Sequence, residues 1–240
     1  MLDDIGVPPP RGLTEPFAET ASQEGLTLVI GTGSVAAVNI GGLLHELSSA
    51  LPGPTAVVLT EAARRFVTVP ALHHLGRCPV LTTETNGPGF RPLHVWLTDV
   101  ARRVLVYPAS AGFIGRVAGG LATDLASTTY LCSTGLPTLV VPSIHPRMWS
   151  SPPVRRNVRR LQDARAQVMP PRGGRRTAGG GGRRGLGRAL RRTRRYPASH
   201  ESPEIGEQQM TTEETTSVPL VQIDVLVPVA VPAKRRARFE

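Results

Sequence analysis

Only two cysteines, Cys78 and Cys132, occur in 240 residues, too few for a disulfide framework or a thiolate zinc centre. Each stands singly among apolar or turn residues, so a reduced, cytoplasmic setting is the expectation. Clustered ligands for other metals are lacking as well: His73 and His74 are adjacent, read as loop residues, and have no carboxylates or thiols grouped around them, so no metal site is expected. The opening "MLDDIGVPPP" has acids where a signal peptide needs lysine or arginine, and no export signal is expected. A membrane span is not expected either. The uncharged stretch Leu26 to Leu44 is long enough to imitate one, but its central "GTGS" argues for a buried strand, a tight turn and a helix start. No internal repeat is present.

Acidic residues are nearly missing from one segment. Between Arg155 and Arg195 there are 15 arginines and one acid, Asp163, a net +14 in a chain whose total is +10. The remainder therefore sums to −4, and the basic character describes one segment, not the protein. No aromatic residue interleaves with these arginines until Tyr196. Sequence-independent attraction to phosphates is the most that such a segment suggests, so nucleic acid is not an expected partner.

What is present between these gaps is alternation. Residues 1–25 carry four prolines and no periodicity and read as a flexible lead-in. Residues 26–171 form the predicted domain. "LTLVI" (26–30), "TAVVLT" (55–60), "RVLVYPA" (103–109) and "PTLVVPS" (137–143) lack polar alternation, as strands covered on both faces do. "SVAAVNIGGLLHELSSAL", "LHVWLTDVA" and "GFIGRVAGGLATDLASTTYLCS" have helical spacing. Strand and helix in turn predict an α/β fold, a doubly wound parallel sheet with right-handed crossovers. Residues 172–216, rich in Arg and Gly, are predicted to be disordered. The apolar and basic stretch 217–240 is too proline-broken to span a membrane, and its structure is left open.

Ligands of such sheets bind at the carboxyl ends of the strands, and the loops predicted there have unusual contents. Gly31 to Ser34 places small residues and a hydroxyl before a helix, suited to an anion; the alternative is a turn that needs glycine for conformation only. Ala36 stands where a dinucleotide fingerprint would have its third glycine. Thr60 leaves a strand shortly before Phe66 and, taken in isolation, reads as a plain helix cap. Tyr107 to Gly115 offers Ser110 and backbone amides. His94, in "RPLHVWL", stands near a helix start and reads as a cap or surface residue unless other evidence intervenes. "PSIHPRMW", Pro142 to Trp149, puts a His, an Arg and a Met-Trp pair directly after a strand.

In order, these stretches resemble the homo-oligomeric flavin-containing cysteine decarboxylases, over about Leu26 to Pro170. "GTGSVAAV" is similar to the family's Thr-Gly-Ser turn, "VVLTEAARRF" to its second strand and helix, and "HVWL" to the segment that carries its active-site histidine. "PASAGFIGRVAGGLATDL" is similar to Pro-Ala-Ser-Ala-Asn-Thr and the helix behind it. "PSIHPRMWSSPPVRRNVRRL" is similar to Pro-x-Met-Asn-x-x-Met-Trp with its later proline and Asn-x-x-x-Leu. The resemblance implies a Rossmann- or flavodoxin-like fold, FMN as cofactor, and a trimer or a multiple of it. It implies that Gly33, Ser34, Thr60 and Phe66 hold FMN, with Ser110, Ala111, Gly112 and Phe113 supplying backbone donors and Ser143 near the ring. His94 would be the catalytic base or proton shuttle.

Two departures bear on substrate. Gly112 and Phe113 replace the family's asparagine and threonine, which spares backbone contacts only. His145 replaces the asparagine that meets the substrate's carboxylate, so an imidazole would do that work, with Arg147 and Met148 beside it. No cysteine follows Cys132, whereas the coenzyme A pathway branch uses one beyond Met-Trp to return electrons. The resemblance therefore implies the epidermin-type branch: oxidative decarboxylation of the C-terminal cysteine of a ribosomally made precursor peptide to an enethiol, alongside lanthionine-forming partner enzymes. The alternatives are a phosphopantothenoylcysteine decarboxylase and an inactive flavin-binding regulatory subunit.

Overall fold

The structure, a computed structural model, describes residues 12–170. The segment 172–216, with its predicted disorder, and the segment 217–240, whose structure was left open, lie outside the described residues.

Six strands form one sheet: β1 (Leu26–Gly31), β2 (Thr55–Leu59), β3 (Val80–Leu81), β4 (Ala101–Ala109), β5 (Thr138–Pro142) and β6 (Gln167–Val168). They lie in the order β3-β2-β1-β4-β5-β6, and every pairing is parallel. This is the expected doubly wound α/β arrangement, with the reversal of strand order between β1 and β4. The unbroken apolar runs divide by the strand period of two. Leu26, Leu28 and Ile30 join Val104, Val106 and Val140 in one core. Val29, Val57, Leu105, Leu139 and Val141 join a second core on the opposite face.

Helices cover both faces. The second core is closed by α2 (Ile40–Ala50) and α3 (Val69–Gly76) through Ile40, Leu43, Leu44, Leu47 and Leu72. The first is closed by α1 (Glu15–Glu24), α4 (Leu93–Val100), α5 (Ala111–Ala118), α6 (Leu125–Cys132) and α8 (Pro152–Asp163). A single turn of helix, α7 (Pro146–Trp149), precedes α8.

Three local expectations are corrected, and two short strands were not anticipated. Residues 12–25 are not a free lead-in: α1 starts on a Thr14 cap that accepts from the Phe17 N–H, has Pro16 in its first turn, and buries Ala21 completely. A helix with so little buried surface leaves almost no apolar period to read. The predicted helix from Gly112 to Ser133 is two helices. Gly120 takes a φ of +71°, which ends α5, and Asp124 opens α6 with a reciprocal capping box to Ser127. His73 and His74 stand on α3, not in a loop; a Thr68 cap and Pro70 start that helix, and His73 Nδ1 lies 2.8 Å from the Cys78 carbonyl oxygen. Strands β3 and β6, two residues each, are too short to produce a pattern.

Candidate functional site at the carboxyl edge

The turns after β1, β4 and β5 meet where the strand order reverses, and hydrogen bonds join them. Thr32 is fully buried. Its hydroxyl donates to the Pro108 carbonyl at 2.7 Å and accepts from the Ser110 N–H at 2.8 Å, while its own N–H also reaches the Pro108 carbonyl at 3.2 Å. The exit of β1 is thereby clipped to the exit of β4. Two residues further, Ser34 caps the 3-10 turn Val35–Asn39, and its Oγ lies 2.7 Å from Ser143 Oγ. Ser143 is tied in turn to β4, donating its N–H to the Ala109 carbonyl at 2.9 Å. Between Thr32 and Ser34, Gly33 has no room for a side chain: a Cβ there would sit 2.5 Å from Ala62 Cβ.

The other expected FMN-contacting positions separate into three kinds. The Thr60 N–H donates to the Gly31 carbonyl at 3.0 Å, and its buried hydroxyl accepts from the Ala63 N–H at 3.3 Å, in the turn before the 3-10 helix Ala63–Arg65, whose N-cap is Ala62. Ser110 caps α5 by accepting from the Phe113 N–H at 3.3 Å. Ala111 and Gly112 occupy the first two positions of that helix, where amides have no intrahelical acceptor. A Cβ placed on Gly112 would meet nothing within 4 Å. Phe113 does not offer a cofactor contact as expected: its amide is taken by Ser110, and its ring is buried edge-on to Tyr130 at 5.8 Å. Its helical position turns it inward, which the motif alone did not reveal. Phe66 is two-fifths exposed at 41% and lines a surface pocket of about 380 Å³ with Val38, Arg65 and Leu75.

His94 is the second residue of α4. Because helices of a parallel sheet run back against the strands, their N-termini, this one included, lie at the carboxyl edge. His94 Nδ1 stands 3.1 Å from Glu84 Oε2, and the His94 N–H donates to Glu84 Oε1 at 3.3 Å. The ring contact meets the distance of an ion pair but not the angle of a hydrogen bond, so its attraction is greatest when the imidazole is protonated. Glu84 thus caps α4 from ten residues upstream, where Pro92 has no side-chain cap to give. Nothing in the spacing announced Glu84 or Thr32; the only signal for Thr32 was its place in "GTGS".

After Ser143 the chain enters the turn that carries the three expected substrate-facing residues, His145, Arg147 and Met148, all exposed. His145 is the N-cap of α7, and its Nδ1 accepts from the Arg147 N–H at 3.3 Å. An Nδ1 that accepts places the proton of the neutral ring on Nε2. Trp149 packs partly into the core, and the Arg155 guanidinium carbon lies 5.2 Å from the centre of its ring. Cys132 ends α6; burial first, and then the charge of Glu84, push its thiol pKa upward.

Small-residue turns, capping hydroxyls and open helix amides at the reversal of a 3-2-1-4-5-6 sheet define a nucleotide-cofactor-binding α/β protein. The open space at Gly112 and the paired hydroxyls of Ser34 and Ser143 fit a phosphate-bearing group, while the pocket that Phe66 lines includes none of these three. More specifically, the chain belongs to the Flavoprotein family, whose sequence profile matches residues 18–181. It is 33% identical over 156 residues to the coenzyme A biosynthesis bifunctional protein CoaBC of Mycobacterium bovis, covering 65% of this chain and 37% of that one. It is 27% identical over 164 residues to the phosphopantothenoylcysteine decarboxylase HAL3 of Malus domestica, covering 65% and 74%. The matches to CoaBC proteins span about a third of those proteins' length, 29% and 37% in two of them. Among solved structures, the FMN-dependent cysteine decarboxylase TvaF from thioviridamide biosynthesis superposes with a TM-score of 0.55 at 26% identity, covering 61% of this chain and 90% of that one. The FMN-dependent cysteine decarboxylase SpaF does so with a TM-score of 0.56 at 25% identity, covering 62% and 84%.

Proposed function

We propose that the chain is an FMN-dependent cysteine decarboxylase, and that its substrate is the C-terminal cysteine of a ribosomally made precursor peptide. The observation that carries the reading is the hydrogen-bonded convergence of Ser34, Ser143 and the Thr32–Ser110 clip beside the open amides of Ala111 and Gly112. Likeness to TvaF and SpaF, both FMN-dependent cysteine decarboxylases, supports it. FMN, when bound, supplies the oxidation of the thiol-bearing carbon that makes loss of carbon dioxide feasible.

The chain's own residues would hold and orient. Gly33 lets the backbone approach, Ser34 and the first-turn amides of α5 meet phosphate or ring oxygens, and Thr60 fixes the turn that carries Phe66. His94, whose backbone N–H is held by Glu84 and whose Nδ1 faces that carboxylate at 3.1 Å, presents Nε2 as the proton carrier. At His145 the cap geometry gives an Nε2–H donor. The exchange of asparagine for histidine then keeps its chemical logic: in each residue one atom accepts the cap and another donates to a carboxylate.

A second reading, phosphopantothenoylcysteine decarboxylation, is favoured by the likeness to CoaBC and HAL3. The absence of any cysteine after Cys132 in this sequence and the presence of His145 favour the peptide. The apolar residues Val35, Val38, Phe66 and Leu75, all exposed by 41–62%, support contact between copies of the chain, and a homotrimer or a multiple of it is proposed. Lanthionine-forming enzymes would be its pathway partners, and the cytoplasm its place. Among the described residues, no helix is long and apolar enough to cross a membrane.

The test begins with the visible spectrum and identification of released chromophore, then offers a peptide ending in cysteine and phosphopantothenoylcysteine in parallel. Loss of carbon dioxide together with two hydrogens from the peptide supports the reading; loss of carbon dioxide alone from the small thiol supports the second. A protein that is colourless and takes up no FMN refutes both. His94→Asn should keep its flavin and lose turnover.

A further inference from the structure

Helix α8 carries Arg155, Arg156, Arg159 and Arg160 against one acid, Asp163, and all four arginines are exposed. Arg155 and Arg159, and Arg156 and Arg160, are like-charged pairs four residues apart, which repel on a helix surface. The first turn contains no acid, so the positive end of the helix dipole adds to them. Among the described residues, none of the ion pairs uses an arginine of α7 or α8. Among the described residues, the one acid on this surface is Asp163 at its C-terminal end, where Arg160 also donates to the Ala118 carbonyl at 3.5 Å, so the surface is incomplete electrostatically above all at its N-terminal end.

That end adjoins the turn of His145, Arg147 and Met148, separated from it by Ser150 and Ser151, and Arg155 is laid over Trp149. The rail therefore starts at the proposed substrate turn and leads away from it. Twelve helical residues extend about 18 Å, the reach of about five residues of extended chain. We propose that α8 is a docking rail for an acidic peptide segment, the residues immediately upstream of the cysteine that is decarboxylated. The proposal rests on the peptide-cysteine reading above and adds to it the charge of the substrate. Carboxylates match the guanidinium fork in pairs. The rail has no exposed aromatic on which bases would stack, because Arg155 covers Trp149, so a peptide is preferred to a nucleic acid.

The test uses the full chain and two short fluorescent peptides ending in cysteine, one with glutamates and one with glutamines in the upstream positions, followed by anisotropy. The glutamate peptide should bind about tenfold more tightly at low salt, and the advantage should vanish at high salt. It should also vanish in the triple variant Arg156→Gln, Arg159→Gln, Arg160→Gln, whose melting temperature and circular dichroism verify folding and which leaves Arg155 on Trp149. Equal binding of the two peptides overturns the proposal, as does a single-stranded oligonucleotide that displaces the glutamate peptide at comparable concentration. Turnover is read separately. If the two peptides bind equally and both are decarboxylated, the rail fails and the decarboxylase stands. If glutamate binding is selective but neither peptide is decarboxylated, the rail stands and the decarboxylase fails.

Discussion

Replacing Thr32 by valine tests the clip at the centre of the site, because valine keeps the shape and removes the hydroxyl. Two hydrogen bonds are lost, to the Pro108 carbonyl and from the Ser110 N–H, each worth about 1 kcal/mol. The Pro108 carbonyl keeps the Thr32 N–H at 3.2 Å, but the Ser110 amide is left without its acceptor in half-buried surroundings, which adds about 1 kcal/mol. The expected loss is about 3 kcal/mol, or about 10 °C in melting temperature for a domain of this size. Thr32→Ser keeps both bonds and gives up one methyl group, costing about 1 kcal/mol. Scanning calorimetry of the three proteins separates hydroxyl from methyl. Because the clip sets the spacing of the β1 and β4 turns, flavin affinity should fall in the valine variant and persist in the serine one. A valine variant that melts with the serine variant and binds flavin equally would refute the account.

His145→Asn should retain peptide turnover and His145→Leu should lose it mainly through KM, since only the leucine removes both the α7 cap and the Nε2–H donor; steady-state kinetics on a cysteine-terminal peptide measures this. Native protein should react with thiol reagents at Cys132 alone, and slowly, because burial and Glu84 raise that thiol; Cys78, buried and pushed up to about 12, should react only on unfolding. Burial also raises Tyr130 to about 12. Both groups stay protonated in the folded chain while the unfolded chain releases their protons above their ordinary values of 9.0 and 10.0. Their contribution to stability is therefore full below pH 9 and is lost as pH rises toward 12. Urea midpoints across that range check it, and Cys78→Ala should reduce the fall that precedes tyrosine titration, leaving the part due to Cys132.

The sheet was legible because its four long strands are apolar on both faces, and a run such as "LTLVI" has few other fates. Helix ends were less so: Gly120 and Asp124 break a helical spacing that continues across them in sequence, and α1 buries too little to show a period. The site's positions were legible through motifs, yet the bonds that assemble it were not. Thr32 acts on Pro108 and Ser110, more than 70 residues away, and Glu84 meets His94 only because a loop folds back. Phe113 shows the converse, a motif position whose side chain helical geometry sends into the core.

The hydroxyls of Ser34 and Ser143, 2.7 Å apart, share one hydrogen-bond line along which either oxygen can donate. When an acceptor takes the Ser34 proton, that line must run from Ser143 to Ser34, and the chain of dipoles then points from β5 through β1 toward the acceptor, each bond polarising the next. An acceptor at Ser34 would thereby fix the rotation of the Ser143 hydroxyl, 109 residues away in sequence.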